Sequence, residues 1–254
     1  MCLILIAYQT HPKYPLILLA NRDEFYSRPT AQASFWSEDP EILGGKDLQA
    51  GGTWMGINKS GNIAALTNYR SLDNKQYAKS RGELVSNFIK NKDKPETYLN
   101  QMSKLGKEYA GYNLLIGHLG HLLVFSNINN QIHQLKPGFH GLSNRFLNSG
   151  WFKVKKGKQA LAQLISEDKI ERKLFLKVLQ DRQAALDKDL PNTGFTKEQE
   201  KMLSPLFIES PAYGTRCSTI ITIDYKQEVT FFELTYQRGI QPEGVEFQFQ
   251  ITSG

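Results

Sequence analysis

Hydrophobic positions dominate the start of the chain. Two nearly continuous apolar runs occur there, first CLILIAYQ and then, after a short polar segment, YPLILLANRD. Runs without polar alternation are typical of strands buried on both faces, and the proline of THPK marks a turn between them. The pattern predicts a hairpin at the centre of a sandwiched sheet. With the turn centred near Pro12, antiparallel pairing places Cys2 opposite about Arg22.

Short strand patterns and helical blocks fill the rest of the chain. A second hairpin is predicted in GGTWMGINKSGNIAALTNYR, where the glycine of NKSG supplies a positive φ. Helices are predicted in SRGELVSNFIKN, with a capping box from Ser80 and Glu83, in KPETYLNQMSKLGKEY, and over residues 151–185. Strands are predicted in YNLLIGHL, HLLVFSN, QIHQL, TRCSTIITID, EVTFFELTY and VEFQFQIT.

The order of these elements predicts the organisation of the domain. Strands come first, helices follow, strands return, and no low-complexity linker divides the chain. This order favours one α+β domain over residues 1–254, with helices packed on sheets. The polar stretch 187–194 is predicted to be a surface loop and a possible lid.

Charge and composition narrow the class of partner. The net charge is +6, but the basic residues are scattered along 254 residues. The densest basic run, Lys153 to Lys158, is expected to form a solvated helix face. Nucleic-acid binding would need a longer basic stripe with exposed aromatic residues, so we expect no nucleic-acid partner.

Cysteine usage and hydropathy bear on the compartment. The only cysteines are Cys2 and Cys217, which argues against a disulfide framework and against a thiolate metal site. The first apolar run has no basic region before it and is soon broken by QTHPKYP, so we expect neither a signal peptide nor a transmembrane segment. These features predict a cytoplasmic protein without integral membrane association and leave its oligomeric state open.

Several common catalytic motifs do not occur in the sequence. It contains no dinucleotide-binding glycine pattern, no P-loop, no H-E-x-x-H and no C-x-x-C, and nothing indicates a cofactor or a metal. The five histidines lack metal-like spacing, and His118 and His121 bracket a turn. Only His140 is kept as a possible base for a cysteine.

Cys2 has another possible base in its own backbone. If Met1 is removed, the freed α-amine of Cys2 has an ordinary pKa of about 7.7–8.0, near the pH at which a general base works best. Nucleophile and base then belong to one residue at the start of a rigid strand. The alternative is that Cys2 simply packs as a small apolar side chain.

A polar cluster follows the second apolar run. The predicted antiparallel pairing of the two runs brings this cluster next to Cys2. It consists of the residues from Asn21 to Glu24. Arg22 would favour the thiolate of Cys2, and Asp23 could orient the α-amine as the third member of a triad. The alternative is an ordinary strand end whose ion pairs face solvent.

The motifs NRDE, GGTWMGIN, GLSN and TRCSTI resemble those of the NRDE family, the transport-and-Golgi-organisation type, over almost the whole chain. That family is similar to the N-terminal nucleophile (Ntn) hydrolases, in particular the choloylglycine hydrolase and penicillin V acylase branch. The resemblance implies a four-layer αββα sandwich, which agrees with the buried hairpins predicted from the apolar runs.

The resemblance also implies roles for individual residues. The nucleophile of that branch matches Cys2, and its arginine and aspartate resemble Arg22 and Asp23; because these two are adjacent here, which residue of the cluster faces the thiol is left open. The other implied catalytic residues are Asn68 and Asn144 as oxyanion donors, and Arg216. The implied substrate contacts are Asn21, Glu24 and Trp54.

Each of the later positions also has a structural interpretation. Asn68 could satisfy a turn, and Asn144 in HGLSN could be a structural loop residue. Arg216 lies just before an apolar strand and could form an ion pair at an interface instead of acting in catalysis. Trp54 could pack in the core rather than line a pocket.

Two functions follow from these expectations. The first is a hydrolase or acyltransferase that acts on a non-peptide C–N amide or another acyl bond of a small acyl or lipid-like substrate. The second is a protein with the same fold that binds lipid or haem without catalysis, since such ligands have been connected with the family. No residue pattern specifies the substrate.

Overall fold

The structure is a computed structural model and describes residues 2–72, 75–91 and 93–252. Its strands, in chain order, are β1 (Cys2–Tyr8), β2 (Leu16–Phe25), β3 (Thr30–Trp36), β4 (Asp39–Asp47), β5 (Met55–Asn58), β6 (Ile63–Asn68), β7 (Tyr112–His118), β8 (His121–Ser126), β9 (Gln131–Gln134), β10 (Gly138–Leu142), β11 (Tyr213–Ile223), β12 (Glu228–Gln237) and β13 (Ile240–Gln250). Its α-helices are α1 (Gly82–Lys90), α2 (Pro95–Leu105), α3 (Phe152–Ser166), α4 (Arg172–Leu179) and α5 (Lys197–Met202).

The first predicted hairpin lies inside a six-stranded antiparallel sheet with the order β10-β1-β2-β11-β12-β13. All residues of β1 are buried, as its continuous apolar run predicts. Cys2 pairs with Arg22, so the register inferred from the sequence is confirmed. Because β2 also pairs with β11, the polar end of β2 lies between two other strands rather than at a sheet edge.

A second antiparallel sheet contains the other seven strands in the order β3-β4-β5-β6-β7-β8-β9. The predicted turn between β5 and β6 is confirmed: Gly61 has φ 83°, and its N–H donates to the Asn58 carbonyl at 2.9 Å. Every strand in this sheet neighbours the next strand in sequence, so the sheet is a meander, and β6 brings Asn68 to one end of it.

The two sheets and the helices form four layers. Side chains such as Ile4, Leu18, Leu43 and Leu115 pack between the sheets and are almost completely buried. Helices α1 and α2 cover the seven-stranded sheet, and α3 and α4 cover the six-stranded sheet. Each fully buried aliphatic side chain contributes roughly 1.5–3 kcal/mol relative to exposure. The fold is therefore the α+β, four-layer αββα sandwich that the sequence led us to expect.

Some elements differ from the sequence-based expectation. The predicted helical block over residues 151–185 is two helices, α3 and α4, separated by a turn in which Asp168 has φ 53°. Ser80 and Glu83 do not form a capping box. The Ser80 hydroxyl accepts a hydrogen bond from the Gly82 N–H instead, and the Glu83 carboxylate accepts one from the Tyr109 hydroxyl. Strands β3, β4 and β10 and helix α5 were not predicted.

The segment 187–194 contains one short 3₁₀ helix at Asp187–Asp189 and otherwise has the loop conformation that we predicted. Among the described residues, no helix is long and apolar enough to cross a membrane.

Candidate active site

Cys2 lies at the beginning of a central strand and on the wall of a cavity of about 420 Å³. Its side chain faces the space between the sheets and is 9% exposed. The hydroxyl of Ser143, just beyond β10, donates to the Cys2 carbonyl at 3.0 Å and so fixes the backbone of this residue. The thiol is thus held on a rigid element with one open side.

Arg22 is held directly beside Cys2 by three other groups. Its guanidinium donates to Thr30 Oγ1 at 3.0 Å, approaches the Asp47 carboxylate at 3.9 Å and stacks over the Trp54 ring at 4.3 Å. Its side chain is 5% exposed, so the residue that pairs with Cys2 carries a buried cation. Trp54 fills its place because Gly45 has no side chain there; a Cβ at Gly45 would lie 2.2 Å from the ring.

Asp23 points away from the inter-sheet core, since alternate residues of a strand face opposite sides. Its Oδ1 accepts from Thr215 Oγ1 at 2.8 Å, and its backbone carbonyl accepts from the Tyr213 hydroxyl at 2.9 Å. The backbone N–H of Asp23 donates to the sulfur of Cys2. Burial raises the pKa of the Asp23 carboxyl, and the charge of Lys153 opposes that rise.

The electrostatics of the thiol correct one sequence-based expectation. We expected Arg22 to lower the pKa of Cys2, but burial outweighs it and raises the pKa of this thiol. The charge of Asp23 acts in the same direction as burial, whereas Arg22 and the Asp23 N–H act against it. Burial therefore favours the neutral thiol form of Cys2 over the thiolate. Burial raises the pKa of Cys217 further, to well above its ordinary value, and Glu233 adds to that rise.

The two asparagines expected to bind an oxyanion occupy different positions. Asn68, at the end of β6, is half-buried and lines the cavity with Cys2. Asn144 is completely buried, and its Nδ2 donates to the Asn68 carbonyl at 2.8 Å while its Oδ1 accepts from Ser143 Oγ at 3.2 Å. Asn68 is placed where it can meet a substrate, whereas Asn144 supports the backbone of Asn68.

Of the expected substrate contacts, Glu24 and Trp54 line the cavity and Asn21 does not. The Asn21 side chain faces the helical layer, where its Nδ2 donates to the carbonyls of Leu179 and Leu206 at 2.8 Å each. Asn21 therefore links β2 to the end of α4 and to the segment that contains Leu206.

Arg216 and His140 also lie away from the cavity wall. Arg216 occupies a bulge in β11, and its guanidinium donates to the carbonyls of Phe25, the last residue of β2, and of Arg28 in the turn that follows. His140, on β10, contacts the Lys136 carbonyl at 2.7 Å. The structure thus brings together Cys2, Asp23 and the other expected residues that line the cavity, which are Arg22, Glu24, Trp54 and Asn68.

Sequence reasoning missed several cavity residues. Arg28 and Asp47 lie beside Arg22, and Lys79 and Arg81 line the same cavity from the segment before α1. Arg81 is the N-cap residue of α1, and its Nη1 donates to the Gly111 carbonyl at 3.1 Å. A cation at a helix N-terminus opposes the helix dipole, so its presence there was the available signal of another role.

Lys153 is a further cation that sequence reasoning missed, and its burial contradicts the expectation that this lysine faces solvent. It lies in the first turn of α3 and is 1% exposed. Within the described part of the chain, no three His, Cys, Asp or Glu side chains form a metal-binding group.

Comparisons with solved structures confirm the fold. The C2A mutant of the conjugated bile acid hydrolase from Clostridium perfringens superposes with a TM-score of 0.55 at 10% identity, covering 100% of this chain and 98% of that one. The Caenorhabditis elegans ortholog of N-acylethanolamine-hydrolyzing acid amidase gives a TM-score of 0.51 at 11% identity, covering 87% and 92%. At these identities the likeness concerns the fold.

Sequence comparisons identify the family. The human Transport and Golgi organization protein 2 homolog is 34% identical over an alignment of 254 positions, gaps included, that covers 92% of each chain. The Drosophila melanogaster Transport and Golgi organization protein 2 is 28% identical over an alignment of 269 positions, gaps included, that covers 96% of this chain and 95% of the relative. The family described as Transport and Golgi organisation 2 matches residues 1–238. The chain therefore belongs to the Transport and Golgi organisation 2 family.

Proposed function

We propose that this protein is an N-terminal-cysteine hydrolase or acyltransferase that cleaves an amide or another acyl bond of a small acyl substrate. The observation that carries the proposal is the position of Cys2, which opens from a buried central strand onto a cavity lined by fixed charges. The structural neighbours whose names include hydrolysis, of conjugated bile acids and of N-acylethanolamines, share this fold and support the reaction class.

The proposed reaction begins after removal of Met1. The α-amine of Cys2 takes the proton of the neutral thiol as the sulfur attacks the substrate carbonyl. Asn68 lines the cavity and donates from its side-chain amide to the developing oxyanion. When the intermediate collapses, the C–N bond breaks, the α-ammonium gives its proton to the leaving nitrogen, and an acyl thioester remains on Cys2.

Deacylation uses the same base. A water molecule, or an acceptor alcohol or amine in a transfer reaction, attacks the thioester and gives a proton to the α-amine. Collapse releases the acyl product and returns the proton to the thiol. Asp23 is fully buried and fixed by Thr215, so it is suited to orient the α-amine through both steps.

Arg22 supports the same steps by its charge. The buried guanidinium beside the sulfur stabilises negative charge that develops there during attack and expulsion, at a distance fixed by the pairing of β1 with β2. We assign Asn144 and Arg216 to positioning rather than to substrate contact, because their side chains bind backbone carbonyls.

The experiment measures acyl transfer and its dependence on Cys2. Natively expressed protein is incubated with a panel of N-acyl amides and p-nitrophenyl acyl esters, and amine or nitrophenol release is followed. Cys2→Ser should abolish turnover, whereas Cys217→Ser, a change at the other buried cysteine, should retain it. Equal turnover by both variants would contradict the proposal.

Binding of a hydrophobic ligand such as a lipid or haem without catalysis is the second function expected from the resemblance. The cavity beside Cys2 disfavours it, because several charged side chains line its wall, including Arg22, Glu24, Arg28 and Asp47. If Cys2→Ser and the wild type bind a fatty-acyl probe equally and neither turns over any substrate, this second function replaces the first.

We also propose a cytoplasmic location, since Cys2 and Cys217 are both free thiols. Fractionation of cells expressing a tagged protein tests this, and recovery of the tag from an oxidising compartment would contradict it.

A further inference from the structure

Among the described residues, four cations line the cavity beside the thiol, namely Arg22, Arg28, Lys79 and Arg81. Three of them have a carboxylate partner. Arg22 and Arg28 approach the Asp47 carboxylate at 3.9 and 2.7 Å, and Lys79 pairs at 2.6 Å with a glutamate that does not line the cavity. The guanidinium of Arg81 forms no ion pair with any residue that the structure describes. Its positive charge is therefore the one on this wall that remains for a ligand.

Both ends of Arg81 are fixed. At its backbone, the start of α1 packs against the GGTW motif, where the Thr53 N–H donates to the Gly82 carbonyl at 3.3 Å. A Cβ at Gly52 would lie 2.7 Å from that carbonyl, so only glycine permits this approach. At its tip, Nη1 of Arg81 donates to the Gly111 carbonyl at 3.1 Å. A guanidinium has five N–H donors, so this bond holds the group and leaves other donors for a substrate.

Arg81 lies beside Asn68 on the cavity wall. A second cavity of about 650 Å³ adjoins the one that contains Cys2, and the two share the lining residues Asn68, Tyr77, Arg81 and Ala110. The backbone of Asn68 is held by Asn144, whose Nδ2 donates to the Asn68 carbonyl at 2.8 Å. An amide and a guanidinium, each fixed at its backbone, thus line the same boundary of the cavity that Cys2 faces.

The charges around Arg81 agree with this placement. Burial lowers the pKa of Arg81 from its ordinary value, but an arginine stays protonated at neutral pH. Glu24 opposes this fall most strongly, and the thiolate form of Cys2 acts in the same direction. The Glu24 carboxylate is itself held by the Phe25 N–H at 2.8 Å and by Arg28 at 4.0 Å. The guanidinium of Arg81 is therefore within electrostatic reach of the sulfur.

The proposed reaction creates a negative charge in this cavity. An oxyanion has several lone pairs and can accept from more than one donor, but the amide of Asn144 is already bonded to the Asn68 carbonyl. A donor that is fixed in advance and carries a positive charge stabilises such an oxygen more than a mobile one does. Arg81 meets both conditions.

We propose that Arg81 is a catalytic residue: with Asn68, its guanidinium donates to the carbonyl oxygen that becomes negative when Cys2 attacks. The inference rests on the proposed function. As the sulfur–carbon bond forms, the carbonyl π pair moves onto the oxygen and the thiol proton moves to the α-amine. On collapse the pair re-forms the C=O bond as the leaving group departs, and Arg81 keeps all of its protons.

The first test needs no turnover. Iodoacetate and iodoacetamide alkylate the same thiol, but only iodoacetate is negatively charged. In Cys217→Ser protein, the ratio of their rates at Cys2, normalised to free cysteine, reports the positive charge that an anion meets in the cavity. Arg81→Met should lower this ratio roughly fivefold, the effect of one charge about 4 Å away in water. Arg81→Lys should retain most of the ratio.

The matched control is Lys90→Met, because Lys90 is an exposed cation at the other end of α1 and should leave the ratio unchanged. Arg81→Gln keeps an N–H for the Gly111 carbonyl and replaces Arg81→Met if that variant does not fold. Equal ratios in the Arg81 variant and in the control overturn the inference.

Acylation kinetics place the charge in the reaction. With a neutral p-nitrophenyl acyl ester, Arg81→Met should lower kcat by about 10²–10³ and leave KM nearly unchanged, because the oxyanion exists only in the transition state. Arg81→Lys should recover part of the loss. An unchanged kcat on the neutral ester, with KM raised only for an ester that carries a carboxylate, would show that Arg81 binds a fixed substrate charge and would overturn its oxyanion role.

The same kinetics separate this inference from the proposed function. If the wild type acylates and Arg81→Met acylates as fast, the role of Arg81 alone is rejected. If no ester or amide acylates the wild type, the hydrolase proposal fails, and the catalytic role of Arg81 fails with it.

Discussion

Asn144 and Asn68 lie together at the end of β6, and replacing each with alanine should have different effects. Asn144→Ala should lower the stability of the fold, whereas Asn68→Ala should lower the rate of the reaction. Asn144→Ala removes the 2.8 Å bond to the Asn68 carbonyl inside the protein. Losing one partner of a buried hydrogen bond costs about 1–3 kcal/mol. The other bond of Asn144 costs less to lose, because the Ser143 hydroxyl keeps the Cys2 carbonyl as an acceptor.

These magnitudes predict a clear thermal signature. For a chain of this size, each kcal/mol lost lowers Tm by about 2–4 °C, so Asn144→Ala should unfold several degrees below the wild type. Asn68 is half-buried at the cavity wall, and Asn68→Ala should change the free energy of unfolding by less than about 0.5 kcal/mol. Its effect should fall on the reaction instead, where removing one oxyanion donor costs about 10²–10³ in rate.

Thermal unfolding followed by circular dichroism, together with stopped-flow acylation by a p-nitrophenyl ester, measures both effects. Asn129→Ala, at an exposed asparagine, is the control for each. If Asn68→Ala acylates as fast as the control, Asn68 is not an oxyanion donor. If Asn144→Ala unfolds at the control temperature, its bond to Asn68 contributes nothing to stability.

Three further outcomes are expected. Gly45→Ala should lose about 1–3 kcal/mol of unfolding free energy in urea, because its Cβ would meet the Trp54 ring at 2.2 Å; an unchanged midpoint would show that the ring moves freely. Burial raises the pKa of Glu233, so its contribution to stability is present at acid pH and is lost as the pH rises through that pKa. Glu233→Gln should therefore gain stability relative to the wild type at pH 8 but not at pH 4, and an equal difference at both would refute this. Iodoacetamide in limiting amount should label Cys2 before Cys217, whose thiol pKa is raised further, as peptide mapping would detect.

The sequence predicted the central hairpin well because its signal is local and strong. Two continuous apolar runs joined by a proline-containing turn leave little choice of register, and the pairing of Cys2 with Arg22 follows from counting outward from the turn. Strand β10 gave no such signal, because GFHGL contains two glycines and becomes a strand by pairing with β1. Strand β4 likewise contains a proline and two glycines, which are depleted in strands.

The site was predicted only in part because strand ends and helix faces are oriented by distant contacts. Asn21 and Asp23 follow the same apolar run as Arg22, but alternation directs both toward the helical layer and leaves Arg22 beside the thiol. Lys153 begins a run rich in lysine, which is typical of a solvated face. Only the packing of α3 against β1 and β10 turns this one lysine inward.

Intact mass spectrometry of the natively expressed protein after brief exposure to an acyl ester distinguishes an N-terminal cysteine nucleophile from a cysteine that only packs. We expect a mass that lacks Met1 and carries one acyl group, mapped to Cys2, present in Cys217→Ser and absent from Cys2→Ser. A protein that retains Met1, or that gains its acyl group on Cys217 or not at all, would contradict the claim that Cys2 is an N-terminal nucleophile.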